Sequence, residues 1–174
     1  VMMAEPLFKA IDDVLKKMDS DNSFKIIYPN PQGKTWDHNK ALSFSSSNEN
    51  LIFICGHYKG IDERVVEKYV TDEYSLGDYV ISNGELSSLV IIDSIIRLMP
   101  GVLNHISSAQ TDSFYNNLLD APYYTNPREL NGMKVPDVLL SGDHKKIKSW
   151  KNKNRKSRTM INRPDLWNRY INEN

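Results

Sequence analysis

An α/β fold built on a parallel sheet is the class this sequence predicts, and three observations predict it. Short apolar runs of strand length alternate with amphipathic runs of helix length through the first hundred residues. Strand and helix come in turn, the order that parallel strands joined by crossover helices require. The chain of 174 residues is 40% hydrophobic and 25% charged, an ordinary globular balance. At this size a domain buries roughly 70% of its unfolded surface.

The elements follow in order. Pro6 suits a first helical turn, and Leu7, Phe8, Ile11, Val14, Leu15 and Met18 recur at three- and four-residue spacing, so a first amphipathic helix is predicted. "SFKIIY" reads as a short buried strand ending at Pro29, followed by the loop "PNPQG" and a second helix around residues 36–44. "LIFIC" is the next strand and "DERVVEKY" the next helix, with "DYVIS" as a third strand. From Glu85 to Met99, Leu86, Leu89, Val90, Ile92, Ile95, Ile96 and Met99 make a helix apolar over most of its surface, suited to burial against a sheet or a partner chain.

Three loops thus follow three strands: "YPNPQG" after Ile27, "GHYKG" after Cys55 and "NGE" after Ser82. In an open parallel sheet such loops gather at the carboxyl edge, where ligands bind. Glycine lets backbone approach a ligand closely, so backbone N–H and C=O groups can bond to it directly. The spacing matches neither GxGxxG nor GxxxxGK[ST], which excludes the usual dinucleotide and P-loop signatures.

Charge is zero overall and uneven along the chain. Residues 141–174 carry ten Lys/Arg against three Asp/Glu, and residues 1–140 carry twelve against nineteen. Lys145, Lys146, Lys148, Lys151, Lys153, Arg155, Lys156 and Arg158 fall within fourteen positions with Trp150 among them, a pattern for a polyanionic partner. Cys55 is the single cysteine, so no intrachain disulfide forms and a reducing, cytoplasmic setting is expected. No apolar run reaches membrane-span length, so no membrane partner is expected. His38, His57, His105 and His144 lack metal-ligand spacing, and Asp12-Asp13 and Asp72-Glu73 read as solvated surface, so no metal site is assigned.

"YPNPQGKTW", "LIFICGHYKGIDERV", "SLGDYVISNGELSSLVIIDSIIRLMPGVL", "TDSF", "LLDAPYYTNP" and "VPDVLLSGDHKKIKSW" occur in an order and spacing that resemble the bacterial tRNA (guanine-N1)-methyltransferases of the TrmD type, from Val1 to about Trp167. The resemblance implies an α/β domain of the SPOUT class over residues 1–103, with a deep trefoil knot that holds S-adenosylmethionine. It further implies a flexible linker over residues 104–116 and a small helical tRNA-binding domain over residues 117–174. The activity implied is methyl transfer to N1 of the guanosine just 3′ of the anticodon, in the cytoplasm, by a homodimer. Readings from other classes are a noncatalytic RNA-binding module and a SPOUT RNA methyltransferase of different specificity.

By match to the motifs, cofactor contacts fall on Tyr28, Pro29, Asn30 and Pro31, on Gly56 and Tyr58, and on Leu76, Gly77, Asp78, Tyr79, Val80 and Ile81 with Asn83 and Gly84. Asp112 in "TDSF" is implied as the base for the N1 proton, and Arg97 in "IIRLMPG" as the partner of O6, where the developing anion resides. Read from the residues alone, Asp112 suits a helix N-cap and Arg97 a helix C-terminus. The resemblance places Asp112 opposite the cofactor of the other subunit, on a linker "NHISSAQT" that orders when RNA arrives. Magnesium is admitted as an auxiliary ion, although no carboxylate cage is visible.

The sequence departs from the family pattern in places. Asn83 and Ser87 stand where glycine and proline are common, and Lys59 stands where glutamate is common, close to the expected target base. The family begins with a further segment containing a strand and a glycine-rich stretch, and this chain is expected to be a portion of a longer protein that starts just after it. Its sheet is then expected to expose an edge.

Overall fold

The computed structural model describes residues 1–18, 23–102 and 112–173. Two compact units divide the chain, Val1–Asn104 and His105–Asn174. The stretch read as an RNA-ordered linker, residues 104–111, lies outside the described residues.

The first unit runs α1 (Ala4–Lys17), β1 (Phe24–Thr35), α2 (His38–Ser45), β2 (Asn50–Phe53), α3 (Glu63–Tyr69), β3 (Asp72–Ser75) and α4 (Gly84–Ile96). The sheet has the order β2-β1-β3 with both pairings parallel, as the alternation of elements predicts. Ile26 pairs with Ile52 on one side, and Ile27 with Asp72 on the other. Because side chains alternate along a strand, β1 feeds two cores. Ile26 and Tyr28 join Ile11, Ile54, Ile61 and Val65 beneath α1 and α3. Ile27 joins Tyr74, Ile91 and Ile95, with Trp36 and Phe44 packed against them from the α2 and α4 side.

Local chemistry sets the helix boundaries. Asp37 accepts a hydrogen bond from the Lys40 amide at 2.9 Å and caps α2, while Asp62 accepts from the Arg64 amide at 3.0 Å and caps α3. Trp36 donates its indole N–H to Ser94 Oγ at 2.9 Å and packs edge-on to Tyr74, fixing the start of α2 against α4.

Two strand predictions need correction. "PNPQG" is not a free loop: β1 continues through it to Thr35, with a register break between Pro29 and Lys34. Asn30 bridges the break, its Oδ1 accepting from the Gln32 amide at 2.7 Å and the Gly33 amide at 3.0 Å while its side-chain amide donates to Glu73. "DYVIS" is not a strand; the third strand is the polar "DEYS". Val80 is 88% exposed, whereas Tyr74 and Ser75 are buried beside β1. Pairing to β1 and the Lys25–Asp72 ion pair at 3.2 Å, rather than hydropathy, select β3.

The second unit holds a 3₁₀ turn (Tyr115–Asn117), an antiparallel hairpin β4 (Glu129–Leu130) and β5 (Met133–Lys134), and helices α5 (Asp137–Leu140), α6 (His144–Asn162) and α7 (Pro164–Glu173). Its core joins Leu118, Ala121 and Leu166 to the fully buried Thr159, whose hydroxyl accepts from the Leu119 amide at 2.8 Å and donates to the Arg155 carbonyl at 2.7 Å. Asp143 caps α6 through the Lys145 and Lys146 amides, both at 3.1 Å. No helix among the described residues is long and apolar enough to cross a membrane.

Candidate functional site: a cavity at the sheet edge

A cavity of about 460 Å³ opens in the first unit, walled by the bulged far half of β1 and by the segments that follow β2 and β3. From the first segment come Tyr28, Pro29, Asn30 and Pro31, and from the second Gly56 and Tyr58. The third wall is Leu76, Gly77, Tyr79, Val80, Ile81, Asn83 and Gly84; Asp78 is exposed and does not line it. Parallel strands point their carboxyl ends the same way, which is why segments far apart in sequence meet here.

Tyr28 explains part of the glycine pattern. A methyl group on Gly56 would stand 3.0 Å from the Tyr28 ring, and one on Gly60 3.1 Å from its hydroxyl. The two glycines let the second loop fold over a buried aromatic side chain, so they serve packing as well as access. Burial pushes the Tyr28 phenol upward, opposed by a backbone hydrogen bond from Ile61, and the group stays protonated. Between these glycines, Gly60 N donates to the His57 carbonyl at 3.0 Å and closes a turn with Tyr58 at φ 61°. Tyrosine rarely adopts that left-handed conformation, and its ring is 87% exposed at the cavity wall.

The second and third loops are tied together. Gly84 N donates to the Gly56 carbonyl at 2.8 Å, and His57 Nε2 meets Glu85 Oε1 at 2.5 Å. The hydrogen bond from His57 holds the Glu85 carboxyl below its ordinary range. Cys55 Sγ lies 3.4 Å from Ser88 Oγ beneath this tie, a packed position rather than a nucleophile's.

The sequence reading missed several lining residues: His57, Lys59, Glu63, Val66, Tyr74 and Ser87. Of these, the Lys59 and Ser87 positions carried a signal in the sequence, as departures from the pattern. Glu63 is the carboxylate and Lys59 the permanent cation of the lining, which is no donor set for a divalent ion. Among the described residues no three His, Cys, Asp or Glu side chains gather to hold a metal, and no step is assigned to magnesium.

Arg97 and Asp112 stand apart from these walls in the chain. Arg97 is the C-cap of α4, its amide donating to the Asp93 carbonyl at 3.1 Å, the position that complements a helix dipole. Asp112 is half-buried in the second unit. It does not cap the 3₁₀ turn, whose N-cap is Phe114.

The second unit displays a basic helix. Of the eight cations on α6, Lys146 alone makes an ion pair among the described residues, with Asp143 at 3.4 Å. Lys151 lies over the Tyr123 ring and Lys156 over Tyr170, which stacks on Trp167 at 5.5 Å. Ammonium groups and aromatic faces thus lie side by side on this unit, a chemistry suited to phosphates and bases.

Comparison with known proteins agrees with this geometry. The sequence model of the family described as tRNA (Guanine-1)-methyltransferase TrmD matches residues 1–169. A tRNA (guanine-N(1)-)-methyltransferase of Legionella pneumophila (strain Philadelphia 1) is 48% identical over 166 residues, 95% of this chain and 66% of the relative. The protein of the same name from Pseudoalteromonas atlantica is 48% identical over 168 residues, 97% of this chain and 62% of the relative. That of Listeria welshimeri is 46% identical over 170 residues, 98% of this chain and 69% of the relative. The chain therefore spans less than two thirds of the length of the Legionella and Pseudoalteromonas relatives. A family match over nearly the full chain, joined to a parallel sheet whose loops wall one cavity, shows that this chain belongs to the tRNA (guanine-1)-methyltransferase TrmD family.

Proposed function

We propose that this chain carries the methyl-donor site and the base-directing residues of a tRNA (guanine-N1)-methyltransferase acting on the guanosine just 3′ of the anticodon. The observation that carries the reading is the meeting of the bulged far half of β1 with the two loops that follow β2 and β3 around one cavity of about 460 Å³. Its domains are residues 1–103 for the donor, 104–116 as linker and 117–174 for tRNA. The tie between Gly56 and Gly84 supports loops wound together as in a SPOUT trefoil knot.

S-adenosylmethionine, when bound, supplies a methyl group on a positively charged sulfur. The loop backbones and the apolar Leu76 and Ile81 hold its adenosine end and exclude water. Guanine N1 carries a proton at neutral pH and attacks only as that proton leaves. Asp112 takes the proton, and Arg97 stabilises the negative charge that develops on O6. The exposed apolar side chains Leu86, Leu89 and Val90 on α4, 54%, 60% and 52% exposed, support a second copy packing there, which brings Asp112 of one subunit to the donor of the other. The cations of α6 meet the tRNA backbone.

The test incubates the protein with S-adenosylmethionine and unmodified tRNA and locates the new methyl by nucleoside mass spectrometry. A methyl on guanine N1 is expected. A methyl on ribose, or none, refutes the proposal.

A further inference from the structure

The charged groups around the cavity fall into two sets. His57 Nε2 is tied to Glu85 Oε1, and the Asn30 side-chain amide donates to Glu73. Lys59 and Glu63 both line the cavity, and neither makes an ion pair among the described residues.

These two charges are displayed on a fixed frame. Lys59 sits in the turn closed by the Gly60 amide, and Tyr58 in that turn is held at φ 61°. Met2 N donates to the Gly60 carbonyl at 2.9 Å and Asp62 N to the Met2 carbonyl at 3.0 Å, so the strand bridge between Met2 and Ile61 braces the segment. Directly after it, Asp62 caps α3 and Glu63 begins the helix. A cation and an anion four residues apart thus face one cavity from a braced turn and a capped helix start. The ligand chemistry that answers such a pair carries a carboxylate and an ammonium on neighbouring atoms.

We propose that Lys59 binds the α-carboxylate and Glu63 the α-ammonium at the amino-acid end of the methyl donor. This rests on the reading of the cavity as the S-adenosylmethionine site. It gives Lys59 a role in donor selection: ligands with an amino-acid end are retained and truncated ones are not.

The test is a ligand-by-variant cycle in isothermal calorimetry. S-adenosylhomocysteine and 5′-methylthioadenosine share the adenosine and the sulfur, but only the first has the amino-acid end. In Lys59→Met and Glu63→Gln the affinity for S-adenosylhomocysteine falls about 5- to 20-fold, the range for a charge-assisted pair at a partly open site. Affinity for methylthioadenosine stays within about twofold, which also shows that the variants fold, and Lys59→Arg restores S-adenosylhomocysteine binding. Unchanged S-adenosylhomocysteine binding in both variants, or an equal loss for both ligands, overturns the proposal. If the unaltered protein binds neither ligand, the donor-site reading itself falls and takes this proposal with it.

Discussion

Gly84→Ala probes the seam between two walls of the cavity. A Cβ at this position would lie 2.5 Å from Gly56 N, 2.8 Å from Cys55 Cα and 3.0 Å from the Cys55 carbonyl carbon. All three are backbone atoms, so no side chain can swing aside. Relief requires the second loop to move away from α4, which lengthens the 2.8 Å bond from Gly84 N to the Gly56 carbonyl. Overpacking of this kind costs about 1–3 kcal/mol. A weakened hydrogen bond adds about 1 kcal/mol, and the helix preference of alanine returns about 0.5–1 kcal/mol. The net loss is about 1–3 kcal/mol, and with an m-value of about 2 kcal/mol/M the urea midpoint drops by about 1 M. Trp36 is the only tryptophan of the first unit, so its fluorescence in a Trp150→Phe, Trp167→Phe background reports this unit alone. S-adenosylhomocysteine binding, measured alongside, weakens because the two walls have parted. A midpoint and an affinity equal to those of the parent would refute the reasoning.

Asp112→Asn leaves donor binding unchanged and lowers the methylation rate about 10²- to 10⁴-fold, as expected for loss of a positioned base; single-turnover methylation together with calorimetry checks both halves, and a near-parental rate contradicts the assignment. On α6, Lys145, Lys153 and Lys156 share one exposed face. Replacing all three by alanine lowers the slope of log K against log salt for tRNA binding by about 2–3, close to one unit per lost phosphate contact; an unchanged slope removes this face from the interface. Arg163 donates to Asp165 through Nε at 2.8 Å and Nη2 at 2.6 Å, and that hydrogen bonding holds the carboxyl down to about 2. The folded value lies below the ordinary one, so the pair's contribution is complete above the ordinary carboxylate range and disappears as pH falls through about 2. Arg163→Gln raises the Asp165 midpoint toward about 3.9 in carboxyl ¹³C NMR, and an unmoved midpoint contradicts this.

The helices of the first unit were legible because their signals are local. The run "DERVVEKY" and the apolar spacing of α1 each place an element within a few residues of where it stands. β3 was hidden because "DEYS" draws its burial from pairing with β1, a tertiary fact without hydropathic trace. The neighbouring "DYVIS" has the apolar content of a strand, yet Gly77 at φ 152° and the exposed Tyr79 and Val80 make it a wall of the cavity. α4 reads as apolar over most of its surface, suited to a sheet or a partner chain; Ile91 and Ile95 turn inward while Leu86, Leu89 and Val90 stay exposed. For the site, glycine and proline marked the loops, whereas the tie of His57 to Glu85 joins residues 28 positions apart that no local pattern links.

Crystallography of the protein soaked with S-adenosylhomocysteine is the most direct measurement of the central idea, that the far half of β1 and the segments after β2 and β3 form one receptor for the methyl donor. Density for the ligand enclosed by Tyr28 to Pro31, Gly56 to Gly60 and Leu76 to Gly84 is the predicted result. An empty cavity at saturating ligand, or the ligand bound elsewhere on the molecule, would contradict it.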